Sequence, residues 1–284
     1  MNSYFSVLMS IYIKEKPEYV DKCFQSLLKQ TILADEWVVV EDGPLTAEMY
    51  KLLDEYQDRY PGLIKRVALQ ENMGLGLALR TGILECSNEI IARMDTDDIA
   101  REDRFEKQLL EFEKHPELDI CGSHIIEFEE NEENEISRRI VPIEHSEIVK
   151  YQKTRSSFNH VTVMYKKSSV LKAGNYEHCP LMEDDMLWTR MILSDARCSN
   201  VDDYLVYVRT GIAMIERRGG WAYFKKYRDG KRMIKETGFI SDIDYLKVMI
   251  PQLVVSLITP KMRLWIFKRL LRRGKKDGII CMFF

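Results

Sequence analysis

Three carboxylates crowd into the four residues Asp95-Thr96-Asp97-Asp98, immediately after the apolar run Glu89 to Met94. Charges packed this closely repel one another unless a cation or hydrogen-bond donors compensate them. Hard oxygen ligands of this kind suit Mg²⁺ or Mn²⁺, which keep open positions for the oxygens of a substrate phosphate. The plainer reading is a solvated turn ahead of a helix, where aspartates are favoured in any case. Two further acidic sites bear on the choice. Asp42 closes the run Trp37 to Val40 in the turn sequence Glu41-Asp42-Gly43-Pro44, and Glu183-Asp184-Asp185 precedes an amphipathic stretch from Met186 to Ser194. Both have structural explanations of their own, as a turn residue and as a helix cap.

The elements that must carry these groups read as an α/β fold. Phe5 to Tyr12 and Trp37 to Val40 are runs of strand length, as are Ile64 to Leu69 and Glu89 to Met94. Helical patterns alternate with them: one after Pro17, then Ala47 to Tyr60, Gly74 to Cys86 and Arg101 to His115. This βαβ alternation predicts a mostly parallel, Rossmann-like sheet flanked by helices. Asp42 and the Asp95 cluster then fall at carboxyl ends of strands, where open sheets of this class bind ligands. The second half is less regular, with strands expected over Asp119 to Phe128 and Thr162 to Tyr165, a charged loop from Glu129 to Glu135, and a helix from Lys167 to Ala173. From Trp221 the chain reads as helical.

Composition narrows the classes. The 284 residues carry a net charge of −3, with 45% hydrophobic and 31% charged residues, ordinary for a folded globular chain. The six cysteines form no C-x-x-C pair and the five histidines show no ligand spacing, so reduced thiols and no zinc site are expected. No N-terminal targeting pattern is visible, which predicts a cytoplasmic chain. Val248 to Ile258 is about half the ~20 residues needed to cross a bilayer, and Pro251 interrupts it. Beyond it, basic residues alternate with Leu264, Trp265, Phe267, Leu270 and Leu271, a combination that predicts peripheral membrane contact through residues 259–276. The basic excess is confined to that tail, so nucleic acid is not an expected partner.

Several ordered blocks together resemble the family 2 glycosyltransferases, which have the GT-A fold. They are SVLMSIY with Glu15, SLLKQT, VVVEDG, ENMGLGLALRTGI, ARMDTDDIA followed by Arg104 and Gln108, and MEDDMLW, spanning roughly residues 4–215. The resemblance implies that Tyr12, Glu15 and Asp42 line a nucleotide-sugar pocket, with Asp95, Thr96 and Arg80 also on the donor. It implies that Asp97, supported by Asp98, binds Mn²⁺ or Mg²⁺, and that Asp184 is the base that activates an acceptor hydroxyl. His160, Glu183, Asp185 and Trp188 would contact donor or acceptor, and Arg217 and Arg218 would clamp the diphosphate. The chain departs from the pattern in places. Arg80 replaces a frequent asparagine, Val161 follows His160 where proline is usual, and Asp185-Met186 replaces an aromatic and an acid, which leaves Asp184 and Asp185 as alternative bases.

The Gln-x-x-Arg-Trp signature of processive relatives is absent, which favours single-sugar transfer; the resemblance implies inversion and a glycan or lipid-linked acceptor in surface-polysaccharide synthesis. The expected division is 1–100 for the nucleotide-sugar half, 101–215 for the acceptor half and 216–284 for a helical extension. Two rivals remain. A phosphohydrolase could use Asp95 and Asp97, although Ile99 stands where such enzymes prefer Thr or Val; a silent nucleotide-sugar binding module would have no use for Asp184.

Overall fold

The computed structural model describes residues 4–210, 219–258 and 262. The first half alternates strictly: β1 (Phe5–Ile11), α1 (Pro17–Leu28), β2 (Glu36–Glu41), α2 (Ala47–Arg59), β3 (Ile64–Ala68), α3 (Leu75–Glu85) and β4 (Ile90–Arg93). The central strand β1 pairs in parallel with β2 on one side and β4 on the other, and β2 pairs in parallel with β3. Side-chain alternation sorts these strands into two cores. Phe5, Val7, Met9, Trp37 and Val39 face α1 and α2 on one side of the sheet, while Leu8, Val38 and Val40 face α3 on the other. Both faces of β1 and β2 are covered, which is why these two strands read as apolar runs. Gly82 brings α3 down onto the sheet, since a Cβ there would stand 2.8 Å from the Val40 side chain.

The second half is mixed. After β5 (Ile99–Ala100) and α4 (Arg104–Lys114) come β6 (Leu118–Phe128), β7 (Glu135–Arg139), α5 (His145–Gln152), a 3₁₀ turn (His160–Thr162), β8 (Met164–Lys166), α6 (Lys167–Lys172), α7 (Glu183–Leu193) and β9 (Arg197–Arg209). The strand order is β3-β2-β1-β4-β8-β6-β9-β5, with β7 added alongside β6. The strand pairing between the halves is short, β4 meeting β8 antiparallel through Ile90, Ile91 and Ala92, but both hydrophobic clusters run across it. The long parallel pair β6–β9 was not foreseen over Arg197–Arg209, and its register shifts near Ser123 and His124 show why, since a strict two-residue pattern cannot survive a bulge. Glu183, Asp184 and Asp185 lie inside the first turn of α7 rather than ahead of it.

Two further helices, α8 (Gly220–Glu236) and α9 (Asp242–Leu257), form the C-terminal extension. Ser241 and Asp244 cap α9 reciprocally. Ile234 and Ile240 pack with Cys179, Met182 and Met186, so the extension rests against the start of α7. No described helix is long and apolar enough to cross a membrane.

Candidate active site

A cleft of about 310 Å³ opens at the carboxyl ends of β1, β2 and β4. Ser10, Tyr12 and Glu15 line it from the β1–α1 connection, Asp42 from the end of β2, and Asn72, Gly74 and Leu75 from the β3–α3 loop. Asp95, Thr96 and Asp97 supply the wall beyond β4. Parallel pairing puts all these termini on one edge of the sheet, so four distant segments meet in one place.

Asp42 builds one wall. Its Oδ1 accepts from the Met73 amide at 2.7 Å, and its Oδ2 from the Gly74 amide at 3.0 Å and the Asn72 side-chain amide at 2.9 Å. Both carboxylate oxygens are thus occupied in shaping the loop. Gly43 makes this approach possible: its φ is +84°, and a Cβ would lie 2.7 Å from the Asn72 nitrogen. Asn72 and Gly74, read from sequence as turn-forming residues, therefore also belong to the cleft surface.

The opposite wall is charged. One carboxylate oxygen from each of Asp95, Asp97 and Asp98 can be chosen so that all lie within 4.8 Å of one another. Burial, followed by the Asp95 charge, pushes the Asp97 carboxyl up to about 6. Asp98 is driven well above its ordinary value by burial and then by Asp97 and Asp95. Glu15, across the cleft, rises to about 7 for the same reasons: burial first, then Asp97 and Asp95. A cluster that resists ionisation in this way is under-compensated, and a divalent cation on hard oxygen ligands fits that deficit.

Two arginines that sequence reasoning passed over offset part of the charge. Arg93 is fully buried and pairs with Asp95, while its Nε and Nη1 have no hydrogen-bond partner among the described residues. Burial would lower its pKa, but the charge and hydrogen bond of Asp95 outweigh this and raise it. Arg209, the last residue of β9, grips the Asp97-Asp98 pair. Its backbone amide donates to Asp98 Oδ1 at 2.7 Å, its Nε to the Asp97 carbonyl at 3.1 Å and its Nη1 to the Glu130 carbonyl at 2.8 Å. The guanidinium is sandwiched 3.9 Å from the Tyr19 ring and 4.6 Å from that of Phe128. The signal for Arg93 was a charge inside an apolar strand; Arg209 gave none, because its strand was not recognised.

The first turn of α7 abuts the cleft. Gly76, next to Leu75 of the cleft wall, faces Glu183 so closely that a Cβ would sit 3.0 Å from that of Glu183. Asp184 is raised to about 7, by burial and then by Asp185 and Glu183. Asp185 is held from the side, with Oδ1 accepting from Gln152 Nε2 at 3.0 Å. A carboxylate poised near neutrality can take a proton from a hydroxyl, whereas the Asp185 carboxylate already accepts from a side-chain amide.

The remaining candidates lie elsewhere. Arg80 is exposed, and its Nη1 donates to the Tyr176 carbonyl at 2.7 Å and the Gly174 carbonyl at 3.3 Å, so it braces a turn rather than lining the cleft. Trp188 is fully buried among Phe158, His160, Tyr165 and Tyr176, a core residue rather than a cleft contact. His160 bonds the Tyr176 hydroxyl at 2.7 Å, and burial, then Arg93, pushes its pKa well down, leaving it neutral. Arg217, Arg218 and the basic tail lie outside the described residues. Among the cysteines, 23, 86, 121, 179 and 198 are buried and unpaired.

The model of "Glycosyl transferase family 2" matches residues 6–178. The chain belongs to glycosyltransferase family 2. The "Amylovoran biosynthesis glycosyltransferase AmsE" of Erwinia amylovora is 40% identical to this family 2 glycosyltransferase over 248 residues, covering 86% of this chain and 91% of the relative. The "UDP-Gal:alpha-D-GlcNAc-diphosphoundecaprenol beta-1,3-galactosyltransferase" of Escherichia coli is 35% identical over 269 residues, 95% of this chain and 97% of that one. Among solved structures, S. aureus TarS in complex with UDP-GlcNAc superposes with a TM-score of 0.59, at 16% identity, over 92% of this chain and 69% of that chain. The mannosyltransferase PcManGT from Pyrobaculum calidifontis, in complex with GDP-Man and Mn²⁺, gives 0.61 at 16% identity over 93% and 74%. Both confirm the GT-A fold.

Proposed function

We propose that this glycosyltransferase transfers one sugar, with inversion, from a UDP-hexose or UDP-N-acetylhexosamine to a hydroxyl of a glycan or lipid-linked acceptor in cell-surface polysaccharide synthesis. The observation that carries this reading is an under-compensated carboxylate cluster in a cleft at the strand ends, with a carboxylate poised near neutrality on the first turn of α7, which borders that cleft through Glu183 and Gly76. The lipid-linked acceptor is supported by the E. coli relative, whose name specifies UDP-galactose and a diphosphoundecaprenol acceptor. A phosphohydrolase leaves the Asp42-Gly43 turn without a task, and a silent binding module leaves Asp184 without one.

In this reading residues 1–100 hold the nucleotide sugar, residues 101–215 the acceptor, and residues 216–284 form the extension. Tyr12, Glu15 and Asp42 enclose the nucleotide, and Thr96 borders the diphosphate. Asp97 and Asp98, with Asp95 beside them, would hold Mn²⁺ or Mg²⁺, which supplies positive charge for the departing nucleoside diphosphate. Asp184 takes the acceptor proton as the acceptor oxygen bonds to the anomeric carbon. The bond to the diphosphate breaks on the opposite face, which inverts the centre, and a positioned base contributes about 10²–10⁴-fold to such a step. Contact with the cytoplasmic face of the membrane through residues 259–276 would keep a lipid-linked acceptor within reach.

The test is turnover and binding across UDP-, GDP- and dTDP-sugars with Mn²⁺, using the native protein and Asp97→Ala. A metal-dependent signal with a UDP-sugar, lost in the variant, is the expected result. Binding of no donor by the native protein would defeat the reading.

A further inference from the structure

Helix α9 is apolar on both of its sides. Its inner side buries Met249 and Ser256, and Tyr245 packs against the cluster that joins the extension to α7. Its outer side carries Ile243, Leu246, Ile250, Val254 and Leu257, exposed by 66, 53, 60, 52 and 71%. Spacings of three and four residues align all five along one stripe, in which Lys247 is the single charge. A helix on a water-facing surface shows polar residues in that position, and a continuous apolar row marks a contact surface.

The sequence around the stripe indicates what covers it. From Tyr245 to Lys276 there is no Asp or Glu, while Lys247, Lys261, Arg263, Lys268, Arg269, Arg272, Arg273, Lys275 and Lys276 are all basic. On α8, Lys225 and Lys226 are exposed as well. A protein partner could match the apolar row but has no need of thirty residues without an acid. An anionic lipid surface matches both features, because the apolar side chains enter the acyl boundary while the basic residues meet the headgroups. With 16 residues, α9 is too short to cross a bilayer, so it would lie in the plane of the interface.

We propose that the outer face of α9 seats in an anionic lipid surface, making this helix the membrane-facing side of the enzyme. The proposal deepens the transferase reading, on which its purpose rests, by naming the structured surface that faces the lipid. Since α8 and α9 pack against the start of α7, the lipid plane would be fixed relative to Asp184 through the described core and not through a tether.

The experiment is flotation of the full chain with vesicles of phosphatidylglycerol and phosphatidylethanolamine, and with phosphatidylcholine alone. Native protein is compared with Ile250→Glu/Val254→Glu and with the milder Ile250→Ser/Val254→Ser. All these positions are exposed, so unchanged melting temperatures are expected and verify folding. Flotation of native protein with the anionic vesicles alone, reduced at least tenfold in the Glu pair and less in the Ser pair, is the expected result. The proposal is overturned if the native protein stays with the unbound fraction, if both variants float as it does, or if the native protein is a dimer by light scattering and the variants are monomers. UDP-sugar turnover on the same preparations reports separately on the transferase reading.

Discussion

Replacing Asp97 by Asn should abolish metal binding and, in the metal-free protein, stabilise the fold. The Asp97 carboxyl is raised from 3.8 to about 6, mainly by burial and then by Asp95. Each unit is worth about 1.4 kcal/mol, so keeping this group ionised above pH 7 costs the fold up to about 3 kcal/mol. Partial exposure and proton sharing with Asp98 reduce this, and about 1–2 kcal/mol is the expected gain for a neutral side chain of the same shape. The folded state holds its proton to higher pH than the unfolded chain, so between about pH 4 and 6 it binds more protons and loses stability as pH rises. The gain is therefore full at pH 8 and shrinks towards pH 5. It corresponds to a rise of roughly 2–6 °C in melting temperature for a chain of this size. Differential scanning calorimetry in EDTA at pH 8 and pH 5 reads the effect, and added Mn²⁺ should raise the melting temperature of the native protein alone. A variant that melts below the native protein in EDTA at pH 8 would refute the argument that these carboxylates are under-compensated.

Asp184→Asn should lower turnover about 10²–10⁴-fold with UDP binding unchanged, and native turnover should fall on acidification below about pH 7, where the base takes up its proton; a rate insensitive to pH from 6 to 8 would point to another base. Asp42→Ala strips the Met73 and Gly74 amides of their acceptor, which should cost about 1–3 kcal/mol in stability and weaken UDP binding by calorimetric titration. Arg209→Lys keeps the charge but loses the forked grip on the Asp97 and Glu130 carbonyls. Mn²⁺ affinity, read by paramagnetic resonance without donor, should drop about 10-fold while the melting temperature changes little.

Strands β1, β2 and β4 were legible because they are buried on both faces and leave apolar runs, as in Phe5–Ile11, while β3, IKRVA at the sheet edge, was placed by the alternation of elements around it. Their termini located Tyr12, Glu15, Asp42 and the Asp95 cluster together; Tyr12, Glu15, Asp42, Asp95 and Asp97 do share one cleft, with Asp98 buried behind them. Beyond β4 the pattern weakens for identifiable reasons. The strand Arg197–Arg209 contains Asp202 and Asp203, and Asp203 is drawn outward by Arg101 and Lys107 into an exposed ion-pair network that hides its strand character. With that strand unseen, the grip of Arg209 on the acidic pair could not be inferred. Trp188 fails in the opposite sense: a large aromatic beside an acidic motif looks like a substrate platform, but at α7 spacing it turns away from the cleft and into the core. Local pattern finds which strand ends meet, whereas helix rotation and long-range register decide which side chains face the opening.

The packing across the three-residue seam between β4 and β8 has a consequence for how the enzyme would fail. The acidic cluster hangs from the parallel half of the sheet, whereas Asp184 is carried by a helix of the mixed half. Chemistry depends on the spacing of these two groups to within about 1 Å. Short as the strand pairing is, the packing runs across it: Phe5, Val7 and Met9 share one cluster with Ile125, Val161 and Met164, and Leu8 and Val38 share the other with Ile120, Tyr165 and Trp188. The spacing is therefore kept by cores common to both halves, and heat or mild denaturant should silence sugar transfer and nucleotide retention together, the molecule ageing as one unit.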